Sequence, residues 1–270
     1  QKMDMDKSQI TVTYLAYGDA SKATTIQVPL TPETEKLDPI DITMHSSPTS
    51  GFVMPEEYSA WFSSCFGYPV LLIYLSSNRR PVMFQDMQPV QPSPVARFLK
   101  KSIPFASSFL PGTNSLHADW KITFADCAPY LICSQTSLEN VSSRLPQGTD
   151  MDITKFRPNI VVKGAFEPFE EDYWGKILVN SKTEITLAHN CVRCKSINID
   201  YKTGKPGEGP TGEVLKRLQQ DRRIDAGARW SPVFGRYGFI GGGIGGRKGE
   251  EVGRVGDRVN VKKVNGALTV

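Results

Sequence analysis

Apolar and polar positions alternate through Ile10 to Leu15, Thr25 to Val28 and Ile40 to Met44, with glycine, proline and charged turns between them. A period of two is that of a half-buried strand. Pro55-Glu56-Glu57 changes the rhythm, because proline suits a first helical position and acids suit a first turn. Tyr58, Trp61, Phe62 and Cys65 then share one helical face, and Gly67 ends the run. Further on, Trp120, Ile122 and Phe124 alternate, followed by Pro129-Tyr130-Leu131-Ile132. Thr136-Ser137-Leu138-Glu139 reads as a capping box for a helix with Leu138, Val141 and Leu145 inward, ended by Pro146. Phe156-Arg157-Pro158-Asn159 leads into a strand at Ile160-Val161-Val162. Ile185, Leu187 and His189 alternate again, as do Ile197 and Ile199, so strands are expected on both sides of residues 190–194. A second helix is expected from about Thr211 to Ile224, and a last strand near Val259 to Val261. Many short strands with few helices predict a mostly β, α+β fold, barrel-like and not a parallel α/β sheet.

Composition adds boundaries. The 270 residues, 39% apolar and 22% charged, are ordinary for a globular chain that can bury one large or two modest cores. No run approaches the roughly 18 apolar residues of a membrane-spanning helix. The stretch 78–118, rich in Pro, Ser, Gln and Arg, reads as irregular. It divides the chain into an N-terminal β domain over 1–80, a connector over 81–118 and a larger domain over 119–265. The net charge of +4 is uneven: residues 195–270 hold 15 Lys and Arg against 8 Asp and Glu, and residues 1–194 hold 17 against 20. A basic C-terminal third suits an anionic ligand or an acidic partner, or is simply a solvated face. It lacks the aromatic interleaving used to stack bases, so nucleic acid is not expected.

Candidate chemistry concentrates in Cys191-Val192-Arg193-Cys194. The five cysteines are too sparse for a disulfide framework, which favours a reducing, intracellular setting. Gly241-Gly242-Gly243-Ile244-Gly245-Gly246 satisfies a dinucleotide-binding pattern, but Arg247-Lys248-Gly249 and more glycines follow where a helix is needed, so it reads as a flexible loop. A structural zinc site needs four ligands, and Cys127 and Cys133 have the wrong spacing for the second pair. A thioredoxin-like pair needs the motif at a helix N-terminus in a βαβ setting, and the flanks here read as β on both sides. A single thiolate ligand to a metal cofactor, with Arg193 on an anionic group nearby, is the third reading. Spacing alone does not choose among them.

The wider pattern bears on that choice. Asp126-Cys127-Ala128-Pro129-Tyr130-Leu131-Ile132, Ser137-Leu138, Phe156-Arg157-Pro158-Asn159, Glu171-Asp172-Tyr173-Trp174, Cys191-Val192-Arg193-Cys194, Phe234-Gly235-Arg236-Tyr237 and Val255-Gly256-Asp257-Arg258-Val259 together resemble the MOSC domain in order and spacing across residues 119–262. The layout looks most like the amidoxime-reducing branch of that family, with residues 9–75 similar to the later part of the β barrel that precedes MOSC there. The resemblance implies a molybdenum cofactor (molybdenum held by molybdopterin), with Cys194 as thiolate ligand to the metal. It implies cofactor contact by Arg157, Asn159, Val192, Arg193 and Tyr237, the arginines being suited to phosphate by their bidentate fork. It implies that Asp126 lies near the metal as proton donor or substrate orienter. Cys191 is expected to be a small buried neighbour. The implied activity is reduction of small N-hydroxylated compounds, with electrons from a cytochrome b5-type donor and its reductase. The alternative is a non-catalytic cofactor carrier of the sulfurase type, where MOSC follows a pyridoxal-phosphate domain. The family's early Lys-Ser cofactor contact has no counterpart here. Because the chain begins at Gln1, an upstream segment is expected to be missing, and cytoplasm and mitochondrion both stay open.

Overall fold

The computed structural model describes residues 2–16, 19–82, 120–240 and 252–268. Most of the expected connector and the Gly241–Gly249 loop lie outside the described residues. The chain divides into two compact units, one of Gln1–Arg80 with Asp200–Lys205 and the other of Pro81–Ile199 with Pro206–Val270.

The first unit is built from two antiparallel three-stranded sheets. Strands β1 (Lys2–Asp4), β2 (Gln9–Ala16) and β3 (Asp19–Pro29) form one. Strands β4 (Pro39–Met44), β5 (Ser47–Val53) and β6 (Ile73–Tyr74) form the other. Helix α1 (Glu56–Phe66) begins after Pro55 and stops at Gly67, whose φ of 78° is the left-handed conformation that glycine adopts without strain. Its aromatic face is only half buried: Trp61 and Phe62 are partly covered, and Phe66 and Tyr68 stack in solvent with ring centres 5.9 Å apart.

The second unit holds a six-stranded mixed sheet. Its strands are β7 (Tyr130–Ser134), β8 (Ile160–Val162), β9 (Trp174–Val179), β10 (Thr183–Val192), β11 (Val233–Ile240) and β12 (Val259–Val264), in the spatial order β8-β7-β11-β10-β9-β12. Only β8 with β7 is parallel. The sheet curls as a half barrel with two ends, a mostly β, α+β architecture as expected. One apolar core joins Leu131, Leu138, Val141, Phe156, Cys191, Ile197, Leu218 and Phe234 on one side of the sheet. A second gathers Ile132, Trp174, Ile177, Ile185 and Leu187 on another.

Three local expectations change. Helix α2 (Gln135–Ser143) is capped by Ser134, whose hydroxyl accepts from the Ser137 N–H, and not by a Thr136 box; Glu139 pairs with Gln135 instead. The helix expected over 211–224 shrinks to α3 (Val214–Leu218), because Gly209–Gly212 forms a 3₁₀ turn before it and Arg222 is drawn into a buried ion pair after it. Downstream of Cys194 the chain makes a 3₁₀ turn, Lys195–Asn198, so Ile197 is buried from a turn and not from a strand.

Candidate cofactor and metal site

A bulge prepares the site. Val192 pairs with Val233 and Asn190 with Arg236, so β11 spends one more residue than β10 over the same step. Gly235 absorbs the surplus with φ of 81°, and a Cβ there would lie 2.6 Å from Cys133 Sγ and 2.7 Å from the Ile132 carbonyl. Only glycine fits so close an approach, and a bulge re-aims the side chains that follow. Phe234 and Arg236 are both fully buried as a result, and Tyr237 reaches the cleft.

Beneath the bulge lies a chain of buried polar groups. Arg236 donates from Nη1 to the Asp172 carbonyl at 2.7 Å and to Asn190 Oδ1 at 2.8 Å. Asn190 Nδ2 donates to Asp225 Oδ2 at 3.0 Å, and Asp225 Oδ1 accepts from the Gly227 and Ala228 N–H groups. Asp172 meets Arg222 at 2.5 Å, and burial pushes its carboxyl pKa up despite that cation. The neighbouring Glu171 accepts from Ser134 N–H and from the Ser137 hydroxyl, and burial also pushes its pKa up. This scaffold anchors β10 where it leads into residues 191–194, a second layer of hydrogen bonds of the kind that fixes functional side chains.

All seven residues expected at the site line one cleft of about 290 Å³. Cys194 is exposed, and its Sγ is 3.1 Å from Ser196 Oγ. That hydroxyl leads the causes holding the Cys194 thiol below its ordinary pKa, with Arg193's charge a smaller one. Cys191 is fully buried, and burial raises its pKa, as it does for Cys133. Tyr237 hydrogen-bonds Cys191, and burial with the cysteine's charge pushes its phenol well up. Val192 is at the lip, partly exposed.

The two arginines behave differently. Arg157, exposed, has φ of 56°, an unusual conformation for a residue with a side chain. It ends the 3₁₀ turn Ile153–Phe156, and Pro158 after it discourages a right-handed helical conformation. Its Nη1 is 3.3 Å from Asp126 Oδ2, an exposed pair that costs little to part. Arg193 is buried. Its Nε and Nη2 donate to the Phe234 carbonyl at 2.9 and 2.6 Å, and Nη1 donates to the Phe156 carbonyl at 2.7 Å. It also packs 5.2 Å from the Phe156 ring, which stacks on Phe234 at 3.9 Å. The fork expected to hold phosphate is thus committed largely to backbone, tying the Phe156-Arg157 turn to β11. Asn159 likewise accepts from Leu131 N–H at 2.8 Å and returns its own N–H to the Leu131 carbonyl, fixing the start of β8 on β7.

Lys155 and Ser196 also line the cleft, and neither stood out in the sequence. A lysine two residues before Arg157 and a hydroxyl two residues after Cys194 were the available signals. Among the described residues no three His, Cys, Asp or Glu side chains converge as a metal cluster. The donor set suits a metal that arrives with its own ligands: one exposed soft thiol, with Arg157 and Lys155 available to an anionic group beside it. A curled β sheet with one exposed cysteine in a cleft also lined by Lys155, Arg157 and Arg193 fits the cofactor-binding class of protein.

The comparisons agree with that class. The family model described as the MOSC domain matches residues 119–260, just over half of the chain. The chain belongs to the MOSC domain family, a family of molybdenum-cofactor-binding domains. It is 33% identical over 150 residues to mitochondrial amidoxime reducing component 2 of Rattus norvegicus, covering 54% of this chain and 40% of that protein. It is 34% identical over 121 residues to mitochondrial amidoxime-reducing component 1 of Homo sapiens, covering 43% and 34%. The chain therefore spans well under half the length of these curated relatives. Among the described residues no helix is long and apolar enough to cross a membrane.

Proposed function

We propose that this chain is the cofactor-binding part of a molybdenum-dependent N-reductase, with Cys194 as the protein's thiolate ligand to the metal. The observation that carries the reading is the convergence of Asp126, Arg157, Asn159, Val192, Arg193, Cys194 and Tyr237 on one cleft. When bound, the cofactor supplies a redox-active molybdenum. The substrate class is a small N-hydroxylated base, as the relatives' printed names suggest. An amidoxime with two electrons and two protons gives an amidine and water, so the N–O bond breaks and the oxygen leaves protonated.

The chain's own residues have distinct tasks in this reaction. Arg157 is exposed and only loosely held by Asp126, so it turns to the cofactor's phosphate at little cost. Asp126, released from Arg157, is then placed to orient the amidoxime through its N–H groups and to pass a proton to the departing oxygen. Asn159 holds the β7–β8 edge of the cleft, and Val192 lends an apolar lip. Arg193 keeps the Phe156-Arg157 turn in place beneath both arginine and cofactor. Tyr237 holds the buried Cys191, which leaves Cys194 as the accessible thiol. Electrons come from a cytochrome b5-type partner with its reductase, whose acidic face suits the basic C-terminal third. The setting is intracellular, cytoplasmic or mitochondrial, the latter as the relatives' names suggest.

The test is turnover by the full protein loaded with cofactor. A reduced donor should be oxidised when benzamidoxime is added, with benzamidine formed in equal amount. Bound cofactor without turnover over a broad panel of N-hydroxylated compounds would replace this reading with that of a carrier domain.

A further inference from the structure

Two residues beyond β10, Cys194 opens the 3₁₀ turn Lys195–Asn198, and that turn folds Ser196 back onto it. The Ser196 hydroxyl is 3.1 Å from Cys194 Sγ, and both side chains are exposed on the wall of the cleft. The backbone N–H groups of Ser196 and Cys194 also reach the sulfur, and two neighbouring side chains are engaged elsewhere. Arg193 is directed to the Phe234 and Phe156 carbonyls, and Tyr237 to Cys191. Either oxygen or sulfur can donate while Cys194 carries its proton. A thiolate has none to give, so on a metal-bound sulfur the polarity is fixed: the serine O–H donates and the sulfur accepts.

We infer that Ser196 is a positioning residue for the metal-binding sulfur. Its hydroxyl holds the direction in which Cys194 presents sulfur to the cleft and draws electron density from it. This rests on the reading of Cys194 as the metal ligand. A hydrogen bond onto a ligating sulfur favours the more electron-rich, reduced state of the centre and so raises its reduction potential. Ser196→Ala removes the hydroxyl contact alone: the Ser196 N–H also hydrogen-bonds Cys194, and an alanine keeps it. The backbone carbonyl of Ser196 accepts the Ile199 N–H, and an alanine keeps that bond.

The experiment compares full protein loaded with molybdenum cofactor as wild type, Ser196→Ala and Ser196→Thr. It reads molybdenum content, thermal midpoint and metal midpoint potential by electron paramagnetic resonance during a redox titration. Ser196→Ala should keep its molybdenum and its thermal midpoint. Its reduction equilibrium should shift about tenfold toward the oxidised state, about 59 mV lower for a one-electron step. Ser196→Thr, which keeps the hydroxyl, should restore the wild-type potential. A wild-type potential in a molybdenum-loaded Ser196→Ala overturns the inference and leaves the Cys194 reading standing. An equal fall in Ser196→Thr overturns it too, because the hydroxyl would then not be the cause. A wild-type protein that takes up no molybdenum overturns both.

Discussion

Replacing Arg193 with methionine separates scaffold from ligand contact. The side chain is buried and places three N–H donors on the Phe234 and Phe156 carbonyls, at 2.6 to 2.9 Å. Methionine keeps most of the stem volume but leaves both carbonyls without those donors. A buried carbonyl left without its donor costs about 1–3 kcal/mol, so a loss of about 3–5 kcal/mol is expected for the two together. For a chain of this size that corresponds to a fall of roughly 6–20 °C in thermal midpoint, at about 2–4 °C per kcal/mol. Arg157→Gly provides the contrast. It removes an exposed ion pair worth about 0–1 kcal/mol and relieves a left-handed conformation costing about 1 kcal/mol, while glycine adds about 0.5–1 kcal/mol of unfolded-chain entropy. Its midpoint should stay within about 3 °C of wild type while cofactor retention falls at least about tenfold. Differential scanning calorimetry of the cofactor-free proteins, with molybdenum analysis of the loaded ones, reads both effects. An Arg193→Met protein that melts like wild type yet loses cofactor would refute the scaffold role and return Arg193 to the phosphate.

Other perturbations probe the same architecture. Glu171's pKa is raised from its ordinary 4.5 by burial, so its protonated form favours folding. That contribution is complete below about pH 4.5 and is lost as pH rises through the raised value, so the stability of Glu171→Gln relative to wild type should grow across this window. A difference in chemical-denaturation midpoints that does not vary from pH 4.5 to 8 would contradict it. Gly235→Ala should cost more than about 2 kcal/mol, from the left-handed backbone and the 2.6 Å approach to Cys133, and lower cofactor uptake along with the melting temperature. Brief iodoacetamide treatment of the cofactor-free protein should modify Cys194 at least about a hundredfold faster than Cys133 or Cys191, which are buried with raised pKa values. Peptide mapping showing Cys191 modified at a comparable rate would contradict the depth of the core.

The parts legible in the sequence were those governed by neighbours along the chain. Alternation marked Pro39–Met44 because every second residue of that strand is covered. It located Gln9–Ala16 although burial there does not alternate and Tyr14 and Leu15 are both exposed. Gly67 marked the end of α1 because it occupies a left-handed cap. Alternation misled at Ile197, which is buried from the 3₁₀ turn Lys195–Asn198, whereas Ile199 does open a short strand with Asp200. The second helix was overread because its apolar spacing continues past Leu218, while the chain departs to bring Arg222 onto Asp172, 50 residues earlier. The cleft residues were named through family resemblance, and their chemistry alone would have left most of them as turn and core residues. Arg193's burial was not legible, because its partners are carbonyls at positions 156 and 234 and a carbonyl carries no signature in the sequence. Ser196 lies beside Cys194 in the chain, yet only the turn shows that the two side chains meet.

Metal analysis of full-length protein, made in a host that synthesises molybdenum cofactor, bears most directly on Cys194. The account predicts close to one equivalent of molybdenum in the wild type, and loss of the metal or of its redox activity in Cys194→Ser with folding unchanged. Stoichiometric zinc without molybdenum, or a Cys194→Ser protein that holds redox-active molybdenum as well as wild type, would contradict it.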